Sequence, residues 1–363
     1  MTNALRLSLV ALVLLLAPAA RATPLHALRT GAACGDCHVS PAGGGLRNSA
    51  GARYAAIDLP TFVLLDATPR RPAPRPAWIS LGGDAELAFV SPADPIDFVP
   101  DAEAALSLAV RPYNPMGHRE GRVTAIATPA FEHDGETLQV RDYSVLYDDL
   151  MLDLAVQAGR FVPAFGERFP GATANPVTGA EVSVRPGPVA VHLAAYRPAP
   201  RWDAPFAASA GWGTHLDVTW QPRGGRLGGS AALSGGAPGR RFTGALHGGF
   251  DLGAPFGVPL IYLGEYDLDH GPGTSGDSTL ALRAQHLVEW RIRRPVALSA
   301  GYAWADPDTE MRYDSRHEAT AELRWDAITY ADVRVRYLHA WQFPEERFEA
   351  SDDTLTLRLH GGF

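Results

Sequence analysis

Apolar and polar positions alternate with a period of two over most of the chain from Trp78 to Phe363. The pattern is cleanest late in the sequence. Leu280, Leu282, Ala284, Val288 and Trp290 share one face of an extended segment, and Thr279, Arg283, Gln285, Glu289 and Arg291 share the other. Ala319, Ala321, Leu323 and Trp325 alternate likewise with Glu318, Thr320, Glu322, Arg324 and Asp326. The last segment sets Leu355, Leu357, Leu359 and Phe363 against Thr354, Thr356, Arg358 and His360. Period-two runs of this length predict β-strands with one dry and one wet face. About sixteen are predicted, near 79–90, 103–112, 121–133, 137–147, 150–161, 179–186, 188–197, 207–220, 226–235, 241–252, 257–268, 278–292, 295–305, 316–326, 329–341 and 353–363.

A soluble β-sandwich also alternates, but here Arg and Glu recur in mid-strand, which suits a water-lined lumen. Long strands with aromatics near their ends point the same way. The expected fold class is therefore all-β: an antiparallel transmembrane β-barrel of about 16 strands over 78–363, preceded by a short N-terminal peptide. The closing aromatic Phe363 resembles the assembly signal of bacterial outer-membrane barrels. Sixteen strands would leave a lumen wide enough for water or for a haem peptide.

The start of the chain has a different pattern. Arg6 precedes the apolar run Leu7–Leu16, and small residues follow at Ala20 and Ala22. This is the layout of a secretory signal peptide over 1–22, too short to span a bilayer, which takes about 20 apolar residues. Residues 23–65 form a short separate segment, and 66–77 hold the Pro-rich tract Pro69–Pro76, read as an extended linker. A segment of this size rarely buries enough surface to fold alone. It is expected to pack against or inside the barrel.

Composition narrows the classes. With 46% hydrophobic and 20% charged residues the chain is not a disordered one. A net charge of −8 gives no basic surplus for nucleic acid. Mean hydropathy of −0.08 excludes a helical multi-span protein but not a barrel, whose two faces average out.

Both cysteines of the chain fall in Cys34-Gly-Asp-Cys37-His38, a C-x-x-C-H pattern. Two thiols at this spacing can add to the two vinyl groups of one haem, and the next residue offers an imidazole to the iron. A disulfide between Cys34 and Cys37 would leave His38 unexplained. A thioredoxin-like pair needs a preceding strand and following helix. A zinc site needs further ligands. The reading favoured is one covalent haem c on Cys34 and Cys37 with His38 as proximal iron ligand. A distal ligand is first sought in His26, within the same peptide. Barrel candidates on the predicted lumen face are His192, His215, His247 and His360, with Met116 and Met151 as further possibilities. His286, His317 and His339 share parity with apolar neighbours and belong to an interface or loop. Asp84, Glu86, Glu265, Asp267, Glu289, Glu318 and Glu322 are lumenal candidates for a divalent ion. Arg283, Arg291, Arg324, Arg334, Arg336 and Arg358 share that lumen, and mixed charge is ordinary pore lining. No nucleophile–base pair, phosphate-binding Gly loop or H-E-x-x-H pattern appears, so no catalytic residue is assigned.

Signal peptide, single C-x-x-C-H and barrel, in that order, resemble the fused outer-membrane cytochrome–porins. Locally the resemblance covers Arg29-Thr30-Gly31, Cys34 to His38, Asn48, Gly51 and Tyr54. It implies an iron-oxidising type that takes electrons from dissolved Fe(II) at the cell surface and passes them inward. The implied partners are an extracellular donor or acceptor such as Fe(II), a periplasmic electron-carrier cytochrome and outer-membrane lipid, with no nucleic acid. On this resemblance the chain is an iron oxidoreductase in the sense of electron transfer, located in the outer membrane of a Gram-negative bacterium. Outward electron flow is equally allowed by the sequence. The alternative is a diffusion porin whose cysteines serve assembly or redox sensing.

Overall fold

The computed structural model describes residues 79–92, 99–110, 122–132, 138–149, 152–166, 176–198, 211–222, 224–235, 239–253, 258–272, 278–293, 295–309, 315–328, 331–342 and 352–362, together with Leu28, Cys37, Gly51 and Tyr54. Sixteen strands run β1 Ile79–Pro92, β2 Val99–Val110, β3 Arg122–Glu132, β4 Leu138–Asp149, β5 Leu154–Phe161, β6 Val177–Val184, β7 Val189–Pro198 and β8 Trp212–Trp220, then β9 Gly225–Gly235, β10 Arg240–Asp251, β11 Leu260–Pro272, β12 Ser278–Arg293, β13 Val296–Asp306, β14 Arg316–Ile328, β15 Ala331–Gln342 and β16 Asp352–Gly362. Each strand pairs antiparallel with its neighbours in sequence, and β1 closes on β16 through a register that sets Glu86 opposite His360. Closure leaves no free sheet edge.

The strand number and alternation match the sequence reading. Four limits differ by four residues or more: β5 starts at Leu154 rather than 150 and β8 at Trp212 rather than 207, and two others extend past the expected limits. β2 starts at Val99 rather than 103, because Pro100 sits next to the strand's first residue, where a missing N–H is tolerated. β11 continues to Pro272, past 268. There Asp269 faces inward, accepts a hydrogen bond from Thr243 (2.8 Å) and pairs with Arg241. A register shift at Thr128/Pro129 absorbs the proline in β3. The segments 1–22 and 66–77, and all of 23–65 except the four N-terminal positions named above, lie outside the described residues.

Burial is inverted relative to a soluble domain. Leu193, Leu216, Val218, Leu246, Tyr266, Val288, Leu298 and Leu323 are exposed on the outer face, while Glu181, His215, Asp217, His247, Asp269 and Glu289 are buried inside. Only a non-aqueous outer solvent makes this arrangement favourable. Trp220, Phe250, Trp290 and Trp325 lie within three residues of strand ends at one rim and are exposed, as an interfacial girdle requires. Near the other rim His317 stacks on Trp341 (5.2 Å between centroids), and Tyr302 Oη shares a 2.8 Å hydrogen bond with His317 Nδ1. His286 likewise packs on Tyr262 and Tyr266, and His339 lies beside Trp341. The parity argument for His286, His317 and His339 therefore holds.

The first strand begins and the last strand ends at the same rim. That rim carries the tight connections 150–153, 185–188, 221–224, 294–295 and 329–330 together with the longer 111–121 and 252–259, while the other carries 93–98, 133–137, 162–176, 199–211, 236–239, 273–277, 307–315 and 343–351 and is the longer on average. Short turns mark the periplasmic side of such barrels and longer loops the outside.

Candidate functional site

The lumen holds three constructions, the first of them near the periplasmic rim. Leu28 is buried there in a cluster with Ile261, Leu263 and Leu287. Ile261 and Leu263 share the inward face of β11 with Glu265 and Asp269, and Leu287 shares that of β12 with Glu289. They form an apolar patch on an otherwise polar wall. Gly249 of β10 completes the seat: a Cβ there would lie 2.6 Å from Leu28 Cδ1 and from Leu263 Cδ2. Any side chain at 249 would compete with Leu28 for the space. Leu28 precedes Cys34 by six positions. The first thiol of the motif is therefore within about 20 Å of the seat even for a fully extended chain.

Across β6 to β10 the wall is a histidine–carboxylate arc. Glu181 lies 3.5 Å from both His192 Nδ1 and His215 Nε2. Asp217 accepts hydrogen bonds from Ser230 Oγ (2.6 Å) and Thr219 Oγ1 (3.0 Å), and its Oδ2 lies 2.9 Å from His247 Nε2. The chain after β5 turns inward over this arc. Ala164 N donates to Glu181 Oε2 (3.0 Å) and Gly166 N to Ser230 Oγ (2.9 Å), while Phe165 meets His215 edge-on at 6.1 Å. Tyr196 covers the other side of His215 at 5.7 Å. The result is a braced constriction above the Leu28 seat.

On β14 to β16 arginines dominate. Arg324 stands directly opposite Arg334, and Arg334 opposite Arg358. Like charges facing each other across strands are destabilising unless countered. Glu289 (3.5 Å) and Asp326 (3.6 Å) counter Arg324, and Glu86 (3.1 Å) counters Arg358. Arg334 holds Asp332 with Nε to Oδ1 at 2.6 Å and Nη2 to Oδ2 at 3.2 Å. Asp332 Oδ2 in turn lies 2.5 Å from His360 Nδ1. His360 Nε2 is buried and has no hydrogen-bond partner among the described residues.

Of the haem residues expected from sequence, Cys34, His38 and His26 lie outside the described residues, as do Met116 and Met151. Cys37 is helical, half-buried and a thiol. Gly51, also helical, is buried against the Cys37 carbonyl, an approach that only a residue without Cβ permits. His192, His215, His247 and His360 are all buried inside the barrel, as their parity predicts. Glu265 and Glu289 are buried inside as well. Among the described residues no group of three or more His, Cys, Asp and Glu is arranged to hold a metal ion, and Glu289 lies 3.5 Å from Arg324 Nη1.

Sequence patterning does not reveal the Leu28 seat, the inward turn at 162–166 or the Asp332–His360 pair. Leu287, Ile261 and Leu263 do carry a signal, being apolar on a polar parity. The inward turn carries no periodic signal. The Asp332–His360 pair needs the β15–β16 register, which alternation alone leaves undetermined.

No protein-family model matches the chain, and no curated protein matches it. Solved structures do. The anion-selective porin from Comamonas acidovorans superposes with a TM-score of 0.62 at 10% identity, over 78% of this chain and 99% of that one. OmpF of Salmonella typhi, in a complex with daunomycin, gives 0.60 at 9% identity over 78% and 97%. The outer membrane channel DcaP of Acinetobacter baumannii gives 0.59 at 10% identity over 78% and 97%. Together with the apolar outer face, this makes the chain an outer-membrane β-barrel of sixteen strands with the porin fold.

Proposed function

We propose that this barrel carries one covalent c-type haem and passes electrons across the outer membrane. Cys34 and Cys37 would form the thioethers and His38 would supply the proximal imidazole. The observation that carries the reading is Leu28. It belongs to the same short segment as the C-x-x-C-H motif, and it is seated inside the lumen against Ile261, Leu263 and Leu287. The helical turn at Cys37 also fits, because thiols three positions apart share one face of a helix. A haem held there supplies a one-electron Fe(II)/Fe(III) couple.

The chain's own residues do the rest. Leu28 fixes the segment near the periplasmic rim, within reach of a periplasmic cytochrome. The hydrocarbon core is about 30 Å thick, so a donor on the far side must enter the lumen to come close. That favours a small one, and dissolved Fe(II) is the donor expected by resemblance. Each Fe(II) would lose one electron to the haem and leave as Fe(III), and the electron would pass to the periplasmic carrier.

Expression of the full chain with a c-haem maturation system tests this. A haem-stained band on a denaturing gel that disappears in the C34S/C37S variant is expected, and anaerobic Fe(II) should reduce the haem. An unstained band would overturn the haem; a stained protein that Fe(II) cannot reduce would overturn only the donor. The second reading is a diffusion porin, favoured by the likeness to porin channels. It predicts ion conductance of the intact chain in planar bilayers without haem.

A further inference from the structure

We propose that Arg291 and Arg324 form a binding site for a tetrahedral oxyanion of the phosphate class, just inside the periplasmic mouth of the barrel. The site belongs to the wall alone and goes beyond the haem reading. Arg291 of β12 stands opposite Ala297 of β13, and Ala297 stands opposite Arg324 of β14. All three share the inward face, since Ala297 and Arg324 are buried while Leu298, Leu323 and Trp325 are exposed on the outer one. Two strand spacings put the arginine Cα atoms roughly 10 Å apart. In this row only the Ala297 methyl group stands between them. The connection 294–295 places the row near the rim of short turns.

A guanidinium group offers two parallel N–H donors as a fork for two oxygens of one anion. Arg334, in the same row, shows this use: it donates from Nε to Asp332 Oδ1 (2.6 Å) and from Nη2 to Oδ2 (3.2 Å). Arg291 and Arg324 carry the same fork. In both, Nε and Nη2 are buried and have no hydrogen-bond partner among the described residues. No other arginine among those residues leaves both nitrogens of the fork in that condition. The Arg324 side chain is only 7% exposed, and its carboxylate neighbours stand off the fork. Glu289 Oε2 lies 3.5 Å from Nη1, and Asp326 Oδ1 lies 3.6 Å from Nε, too far for a hydrogen bond. Buried donors without acceptors are costly, and an oxyanion removes that cost for both forks.

The backbone agrees with the assignment. The ladder shifts register between Arg291 and Arg293, and again between Trp325 and Ile328, so each arginine borders an irregularity. Such bulges recur where a strand re-aims a side chain. The ligand class follows from the two forks. A carboxylate has two oxygens and fills one fork, whereas a tetrahedral anion has four and can turn one edge to each arginine. Carboxylates already offset the charge of the row: Asp332 pairs with Arg334, Glu86 with Arg358, and Glu289 and Asp326 flank Arg324. Recognition therefore rests on directed hydrogen bonds rather than on surplus charge.

Equilibrium dialysis of the full chain, folded in detergent, against radiolabelled inorganic phosphate in chloride buffer tests this. Saturable binding of one phosphate per chain is expected, displaced by sulfate but not by acetate. Arg291→Lys and Arg324→Lys keep the charge and lose the fork, so each should weaken binding roughly ten-fold. Arg241→Lys, at an arginine paired with Asp269 on β11, should bind as wild type does. Absence of saturable binding by wild type, or binding unchanged in both lysine variants, would overturn the site. Displacement by acetate as effective as by sulfate would overturn the ligand class. If a lysine variant does not fold, Ala297→Leu keeps every charge and sets a larger side chain between the forks; full binding there overturns the site as well. None of these readouts involves haem, so failure of the site and failure of the conduit reading are told apart.

Discussion

On the β6–β10 side of the lumen, histidines and hydroxyls gather round two carboxylates; on the β14–β16 side, guanidinium groups face one another across strands. Asp217 takes hydrogen bonds from Ser230 and Thr219 and holds His247, and Glu181 sits between two histidines and accepts a backbone N–H. The opposite wall lines up Arg324, Arg334 and Arg358, and among the described residues both walls keep buried nitrogen without a hydrogen bond, at His215 Nδ1 on the one and at His360 Nε2 and Arg324 Nη2 on the other. Both walls are buried and polar, yet their chemistry differs. The first network braces the inward turn at 162–166, and the second holds three facing arginines in place through their carboxylates.

Breaking the first network should have the largest effect on stability. Asp217→Ala strips His247 of its 2.9 Å partner and Ser230 of its 2.6 Å acceptor. Removing one member of a buried pair costs about 3–5 kcal/mol, because the other is left desolvated. Denaturant unfolding in lipid vesicles measures this. A loss below about 1 kcal/mol would show that water replaces the carboxylate there and that the two walls do not differ in this way.

The barrel itself is legible in sequence because a strand's faces alternate at a fixed period of two, and lipid demands apolar residues on one of them. Thus Leu323, Trp325 and Val335 announce the outer wall by parity alone. The same parity puts His192, His215, His247 and His360 inside. It does not tell them apart, because pairing across strands depends on register: one residue of slip would move Asp332 away from His360. The Leu28 seat is legible only as a fault in the pattern, with Ile261, Leu263 and Leu287 on the wet face. A fault says that something covers the patch, not what. The inward turn at 162–166 has no repeat to read, and its hydrogen bonds to Glu181 and Ser230 join positions up to 64 residues apart.

An intermediate effect is expected at the seat, where the peptide meets the first half of the wall. Leu28→Ala removes side-chain contact with three apolar neighbours. Core Leu→Ala changes cost roughly 2–5 kcal/mol, and the lower figure is appropriate to a segment docked on a wall. About 2 kcal/mol corresponds to a roughly thirty-fold rise in the fraction of unseated peptide. Limited proteolysis of residues 23–77 should quicken accordingly, while the unfolding midpoint of the barrel stays put. Gly249→Val should do the same from the barrel side, since its side chain would occupy the position of Leu28 Cδ1. If only the Leu28 variant responds, Gly249 is not part of the seat and the peptide leans on β11 and β12 alone.

The smallest effect is expected from the arginine row, and its sign is what sharpens the contrast between the walls. Arg324→Gln removes a cation that faces Arg334 and also loses the Glu289 and Asp326 pairings at 3.5 and 3.6 Å. Relief of like-charge repulsion offsets the lost pairs, so stability should change by less than about 1 kcal/mol. The electrostatic consequence lies in the lumen. In a C34S/C37S background, which carries no haem, the anion-over-cation permeability ratio in planar bilayers should fall by about two-fold, most clearly at low salt where screening is weak. Arg241→Gln on β10 is the control, because Asp269 already pairs with that arginine. Both arginines are paired with carboxylates, but Arg241 stands apart from the facing row of Arg324, Arg334 and Arg358, so its removal should shift selectivity less. Equal shifts from Arg324 and Arg241 would mean that the two walls present the same field to the lumen, and the row of facing arginines would then have no electrostatic consequence of its own.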